Sequence, residues 1–233
     1  PYITVGDVNL SLTEQLVLEM SERGAHIIEL GVPFSDPMAD GVTIQRASER
    51  ALKMGINIDK ILRLVTSIRS KSNIPLVLMS YYNPIHKFGV NKFAKEAKSS
   101  GIDGIIIPDL PPEEIRNLKN TILMVAPNSP EERIKLITAL SFGFIYCVSA
   151  AGTTGARKVI DKEAKEIVQK IRKYTTKPIA VGFGISTQKQ VREITKFADG
   201  VIVGSAILEV IDKYRDSPYL VNRVGDFVEY LTK

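Results

Sequence analysis

The sequence predicts a closed (β/α)8 barrel of the TIM type, a single domain over residues 1–233. Three observations predict it. Eight short β-branched or apolar runs alternate with helical patterns along the whole chain. Most of those runs are apolar almost throughout, as strands covered on both faces by helices are. The length, 233 residues with 44% hydrophobic, suits one barrel with a sizeable core. Strict alternation demands a parallel sheet, and eight units favour closure over an open doubly wound sheet.

The elements follow in order. YITV (2–5) is the first strand, and no helix precedes it, so the barrel bottom is expected to lack that cover. LTEQLVLEMSERG (12–24) leads to the second strand, HIIEL (26–30). Two helical patterns, QRASERALKMG (45–55) and IDKILRLVTSIRS (58–70), lead to the third, PLVLMS (75–80). NKFAKEAKSSG (91–101) leads to GIII (104–107), PEEIRNLKN (112–120) to TILMVA (121–126), and PEERIKLITALSFG (130–143) to FIYCVS (144–149). KEAKEIVQKIRKY (162–174) precedes the seventh strand, PIAVG (178–182), and TQKQVREITKFA (187–198) the eighth, GVIVG (200–204). AILEVIDKY (206–214) and a stretch over roughly 217–232 read as the closing helices.

Punctuation supports the count. Gly24, Gly101, Gly143 and Gly200 stand before the even-numbered strands as helix stops, and Pro75 and Pro178 open the third and seventh. Asp103-Gly104 and Asp199-Gly200 precede the fourth and eighth strands alike, a hint of a half-barrel repeat.

Composition narrows the function. The charge of +5, from 31 Lys+Arg against 26 Asp+Glu, is spread along helices where lysines alternate with glutamates, which is a solvated face and not a nucleic-acid stripe. A small anionic substrate remains compatible. No signal-peptide pattern and no apolar run of membrane-spanning length is present, so a cytoplasmic protein without membrane attachment is expected. The single cysteine, Cys147, lies in an apolar run and reads as packing.

Barrels of this class carry their chemistry at the C-terminal ends of strands and in the loops that follow. That filter selects Glu29 with the loop 31–41, Ser80 to Asn83, Asp109, Asn128, Tyr146 with AAGTTGAR (150–157), Gly182 to Gly184, and Gly204-Ser205. Glycines after the seventh and eighth strands, followed by a helix start, read as a phosphate site, where backbone N–H groups approach the anion with no Cβ between, or else as turn glycines alone. Neither a dinucleotide fingerprint nor a P-loop is present, so a phosphate monoester fits.

The two histidines, His26 and His86, lack metal-ligand spacing, and Lys177 sits at the start of a strand. Zinc and Schiff-base chemistry are therefore disfavoured and no metal site is expected. Carboxylates remain. Glu29 closes an apolar strand and is the natural general acid/base, or else half of a structural salt bridge. Asp36 and Asp40 divide evenly between chemistry and the capping of turns and helices.

PYITVGD, ELGVPFSDPMADG, LMSYYNPIHKFG, PDLPPEE, VSAAGTTGAR, VGFGIS and VGSAI together resemble the tryptophan synthase α subunit family across essentially the whole chain. The resemblance implies a lyase of tryptophan biosynthesis that cleaves indole-3-glycerol phosphate to indole and glyceraldehyde 3-phosphate. It implies no cofactor in this chain, pyridoxal phosphate being expected only in a β subunit partner within an αββα heterotetramer.

By the motif match Glu29 and Asp40 are catalytic, and Gly155, Gly184, Gly204 and Ser205 bind the substrate phosphate. Tyr2, Tyr146 and Phe183 line the indole pocket, with barrel packing as their alternative role. Thr154 latches a lid, and Pro33 and Asp36 face the partner. Ala150-Ala151 stand where the family commonly has arginine and serine, a departure that bears on lid closure. Two other readings stay open: a non-catalytic subunit that mainly activates its partner, and another phosphate-binding barrel enzyme of amino-acid biosynthesis.

Overall fold

The computed structural model describes residues 1–115, 117–149, 157–182 and 184–233, with only the backbone described for 157–161. Apolar runs flanked by amphipathic helices close into a barrel whose strands all run parallel. β1 (Tyr2–Thr4), β2 (Ile28–Gly31), β3 (Leu76–Met79), β4 (Gly104–Ile106) and β5 (Thr121–Ile122) form one run of ladders. β6 (Met124–Val125), β7 (Ile145–Val148), β8 (Ile179–Gly182) and β9 (Gly200–Ile202) form the other. The seam is closed by the Tyr2 N–H, which donates to the Val203 carbonyl at 2.8 Å.

Sequence periodicity counts eight strands; the ladders divide the fifth into β5 and β6 at Leu123. There the backbone N–H leaves the ladder and donates to Ser141 Oγ at 2.8 Å, while the Leu123 carbonyl accepts from Tyr146 N–H at 3.1 Å. A buried side-chain acceptor has replaced a neighbouring strand at one rung, and the chain still serves both neighbours.

Helices cover the outside: α1 (Leu10–Glu22), α2 (Val42–Lys53), α3 (Ile58–Arg69), α4 (Tyr82–Phe88), α5 (Val90–Ser100), α6 (Glu131–Leu140), α7 (Arg157–Arg172), α8 (Gln188–Ile194), α9 (Ser205–Tyr214) and α10 (Leu220–Thr232). Local chemistry sets several starts. Asn9 and Asn57 accept from the N–H groups of Leu12 and Lys60, and Thr187 with Gln190 makes a capping box. Gly24, Gly101 and Gly143 adopt positive φ as expected of helix stops. Gly200 does not, being already the first rung of β9.

Two further expectations change. The helix predicted over 112–120 is one 3-10 turn, Pro112–Glu114, because the chain must turn through Leu118 to enter β5 and Thr121 N–H is already bonded to Leu118 O. YNPIHKF, between the third strand and the next expected helix, forms α4. Pro84 falls in its first turn, where a missing N–H costs nothing, and Gly89 at φ 98° ends it. No helix among the described residues is long and apolar enough to cross a membrane.

Candidate active site

β2 is buried at every position, and its register pairs Glu29 with Tyr2 on one side and Val77 on the other. Period-two alternation sends Glu29 inward while Ile28 and Leu30 face the helices. The carboxyl is only 6% exposed. Burial pushes its pKa up to about 7, with the Asp40 carboxylate adding in the same direction. From the strand-start side a cavity of about 590 Å³ reaches it, walled by Ile27, Phe144, Ala180 and Ile202.

Asp40 lies in the loop after β2, immediately before Gly41, the N-cap of α2. It is half-buried, and burial raises its pKa, opposed by a hydrogen bond from the Tyr81 hydroxyl. The same hydroxyl accepts from the Ala39 N–H at 3.0 Å, and the Tyr81 ring lies 5.3 Å from that of Phe34. Gln45 Nε2 donates to the Asp40 carbonyl at 2.7 Å. Tyr81 therefore fixes the backbone on one side of Asp40 and its carboxylate on the other. Sequence reasoning placed Tyr81 at a strand end and gave it no role; its signal is the contact with Asp40, made across the barrel mouth between β2 and β3.

Tyr2 and Tyr146 are buried, at 6% and 5% exposure, and both feel the charges of Glu29 and Asp40. Burial drives both phenols well above their ordinary pKa, so they stay protonated donors. Each lies over a glycine of the next strand. A Cβ on Gly31 would stand 2.2 Å from Tyr2 Oη, and one on Gly182 would stand 2.5 Å from Tyr146 Oη. Tyr2 also flanks Gly204, where a Cβ would come within 3.4 Å of its ring.

Gly204 is the N-cap of α9 and Ser205 its first residue, exposed at the strand-end face. The first N–H groups of a helix have no partner within it and point outward with the positive end of the dipole. Gly184, after β8, has φ 70°. These three expected phosphate residues thus lie after the neighbouring strands β8 and β9, Gly204 beside the Tyr2 ring. Gly155, Thr154, Ala150-Ala151 and Phe183 lie outside the described residues.

Of the two expected partner-facing residues, Asp36 is exposed and accepts from the Ser35 hydroxyl, while Pro33 is buried in this chain. Pro33 lines a cavity of about 530 Å³ with Phe34, Asn83, Pro84 and Phe88. Asp109, in the turn after β4, accepts the Tyr82 N–H at 2.8 Å and so supports the start of α4. His26 and His86 are both exposed, and no group of three His, Cys, Asp or Glu among the described residues is placed to hold a metal. Lys177 donates to the carbonyls of Thr138 and Ser141 at 2.9 and 2.5 Å, at the end of α6.

Comparison with known proteins agrees over the full length. Residues 1–231 match the family model described as tryptophan synthase alpha chain. The tryptophan synthase alpha chain of Thermoanaerobacter pseudethanolicus is 48% identical over 238 aligned positions, covering 99% of this chain and 90% of that protein. That of Geotalea uraniireducens is 47% identical, covering 99% and 89%. Among solved structures, a chain of the tryptophan synthase a2b2 complex from Pyrococcus furiosus superposes with a TM-score of 0.91 at 40% identity, covering 99% of this chain and 96% of that one. The tryptophan synthase subunit alpha of Legionella pneumophila superposes with a TM-score of 0.90 at 36% identity, covering 100% and 90%.

Proposed function

The chain belongs to the tryptophan synthase alpha chain family, whose membership implies lyase chemistry, and from that premise we propose that it cleaves indole-3-glycerol phosphate to indole and glyceraldehyde 3-phosphate. The observation that carries this reading is Glu29, a buried carboxyl with its pKa near neutrality and Asp40 within electrostatic reach. A group with pKa near the working pH can both give and take a proton.

Glu29 protonates the indole ring at C3. The bond from C3 to the glycerol chain then breaks, its electron pair restoring the aromatic ring. The hydroxyl on the departing carbon loses its proton to a base as the aldehyde forms, and Glu29, now ionised, is suited to receive it. Asp40 accepts a hydrogen bond from the ring N–H, which stabilises the positive charge on the protonated indole. Tyr81 supports Asp40 in that task. The phosphate rests against the N–H groups at the start of α9, beside Gly184. Tyr2, Tyr146 and Phe183 wall the indole, Gly155 joins the phosphate-binding residues and Thr154 acts as the lid latch.

These steps need no cofactor in this chain. The relatives of known structure include a tryptophan synthase a2b2 complex, and we place this chain in a corresponding αββα assembly in the cytoplasm, with indole passing to a pyridoxal-phosphate β subunit that meets Pro33 and Asp36. The test is indole release from indole-3-glycerol phosphate by the chain and by Glu29→Gln, each with and without a cognate β subunit. Release that the substitution abolishes supports the lyase. A folded chain that releases none in any condition, yet raises the β subunit's own turnover, makes it an activating subunit instead.

A further inference from the structure

Arg50 lies in the last turn of α2 and joins three elements of the site. Its Nε donates to Asp7 Oδ1 at 2.5 Å, and its Nη1 forms an ion pair with Asp212 Oδ1 at 2.9 Å. Asp7 follows β1, the strand of Tyr2. Asp212 lies on α9, the helix that starts at Gly204-Ser205. Arg50 itself belongs to α2, which starts two residues after Asp40. α2 and α9 pack against one another, and both pack against β1.

The junction is not simply a surface ion pair. Asp7 is 4% exposed, and its second oxygen, Oδ2, is buried without a hydrogen-bond partner among the described residues. A half-satisfied buried carboxylate is a poor way to add stability, because the lost hydration is only partly returned. What the arrangement does supply is geometry: the planar guanidinium donates in a fixed direction to Asp7 and draws the Asp212 carboxylate of α9 to it, which holds α2 and α9 against the end of β1.

We propose that Arg50 is a positioning residue for the reaction given above: by tying the last turn of α2 to the last turn of α9 and to Asp7 after β1, it sets how the two helices that begin beside Asp40 and at the phosphate site lie against one another. The inference rests on that functional reading for its activity readout and on the phosphate site alone for its binding readout.

Three variants test it. Asp212→Asn cuts only the α9 arm, at a half-exposed residue, and leaves the buried pair with Asp7 intact. Arg50→Met with Asp7→Asn removes both arms without stranding a buried charge. Arg50→Lys keeps the charge and loses the fork. For each, melting temperature, kcat and KM for indole-3-glycerol phosphate, and affinity for inorganic phosphate are measured.

Asp212→Asn is expected to melt like the parent, weaken phosphate binding and raise KM severalfold with kcat little changed. The double variant is expected to lose roughly tenfold to a hundredfold in kcat/KM, the scale of a small misplacement of reacting groups, and Arg50→Lys to retain part of it. Parent-like kcat, KM and phosphate affinity in both Asp212→Asn and the double variant would overturn the proposal, as would losses that only track melting temperature. If the parent itself releases no indole, the lyase reading fails, and phosphate affinity alone decides: weaker binding in Asp212→Asn supports the role of Arg50, and unchanged binding removes it.

Discussion

Asp103 and Asp199 hold equivalent places in the two halves of the barrel. Asp103 Oδ2 accepts the Leu76 N–H at 2.8 Å and an Arg69 donor; Asp199 Oδ2 accepts the Ile179 N–H at 2.8 Å and an Arg172 donor. Leu76 opens β3 and Ile179 opens β8, while Arg69 and Arg172 end α3 and α7. Even the residues before them match: the carbonyls of Pro75 and Pro178 accept the N–H groups of Ile28 and Ile145 on the preceding strands. The paired Asp-Gly dipeptides visible in the sequence are thus one structural device used twice.

That device makes a stability prediction. Asp103→Ala and Asp199→Ala each leave a strand-opening N–H without its acceptor. Both aspartates are about half exposed, so solvent screens the ion-pair part. The loss should be about 1–2 kcal/mol at each site, and close to additive because the sites are far apart. Urea denaturation of the two single variants and the double variant measures it; a strongly non-additive double would mean the halves do not behave as separate units.

Glu29 couples stability to pH in a known direction. Its pKa is raised by burial from 4.5 to about 7 in the folded chain. Below about pH 4.5 it is protonated in both states and costs nothing. Between there and about pH 7 the unfolded chain ionises while the folded one resists, so folding stability falls as pH rises, and the loss is complete above pH 7. Glu29→Gln lacks this term. It should be more stable than the parent above pH 7 by about 3 kcal/mol and indistinguishable near pH 4. Parallel stability curves across that range would show that Glu29 does not titrate as its burial implies.

Tyr81→Phe keeps the ring against Phe34 and removes the hydroxyl that donates to Asp40. Since that bond holds the Asp40 pKa down against burial, the carboxyl should titrate at higher pH in the variant. The acidic limb of the kcat/KM profile should shift upward, with a stability cost of about 1 kcal/mol from the unpaired Ala39 N–H. A pH–rate profile superimposable on the parent's would dissociate Tyr81 from Asp40.

Gly182→Ala introduces a methyl 2.5 Å from Tyr146 Oη, and Gly31→Ala one 2.2 Å from Tyr2 Oη. Neither phenol can stay where it is. Overpacking of this kind costs about 1–3 kcal/mol, and on the proposed reading KM for the substrate rises with it. Unchanged melting temperature and unchanged KM together would show that the rings have room to spare.

How legible was all this in the chain? The strand ends were plain, because period and punctuation are local properties: HIIEL places Glu29 at the end of β2, and VGSAI places Gly204-Ser205 at the start of α9. The split at Leu123 was not, since it depends on a serine eighteen residues later taking an N–H out of the ladder. The helix α4 was hidden by Pro84, which reads as a breaker until its first-turn position is known. Asp36 and Asp40 looked alike in the sequence; only Asp40 meets Tyr81 and lies half-buried, while Asp36 stays in solvent with Ser35.

The sequence by itself determined the alternation of strands and helices, the order of the barrel and the residues available at each strand end, since hydrophobic period, caps and turn residues act over a few positions. Only the tertiary structure decided what those residues are to one another. Closing the barrel buries Glu29, brings Asp40 under the Tyr81 hydroxyl, and lets Arg50 join Asp7 to Asp212. Desolvation and charge coupling depend on neighbours in space, and those neighbours come from separate elements of the chain.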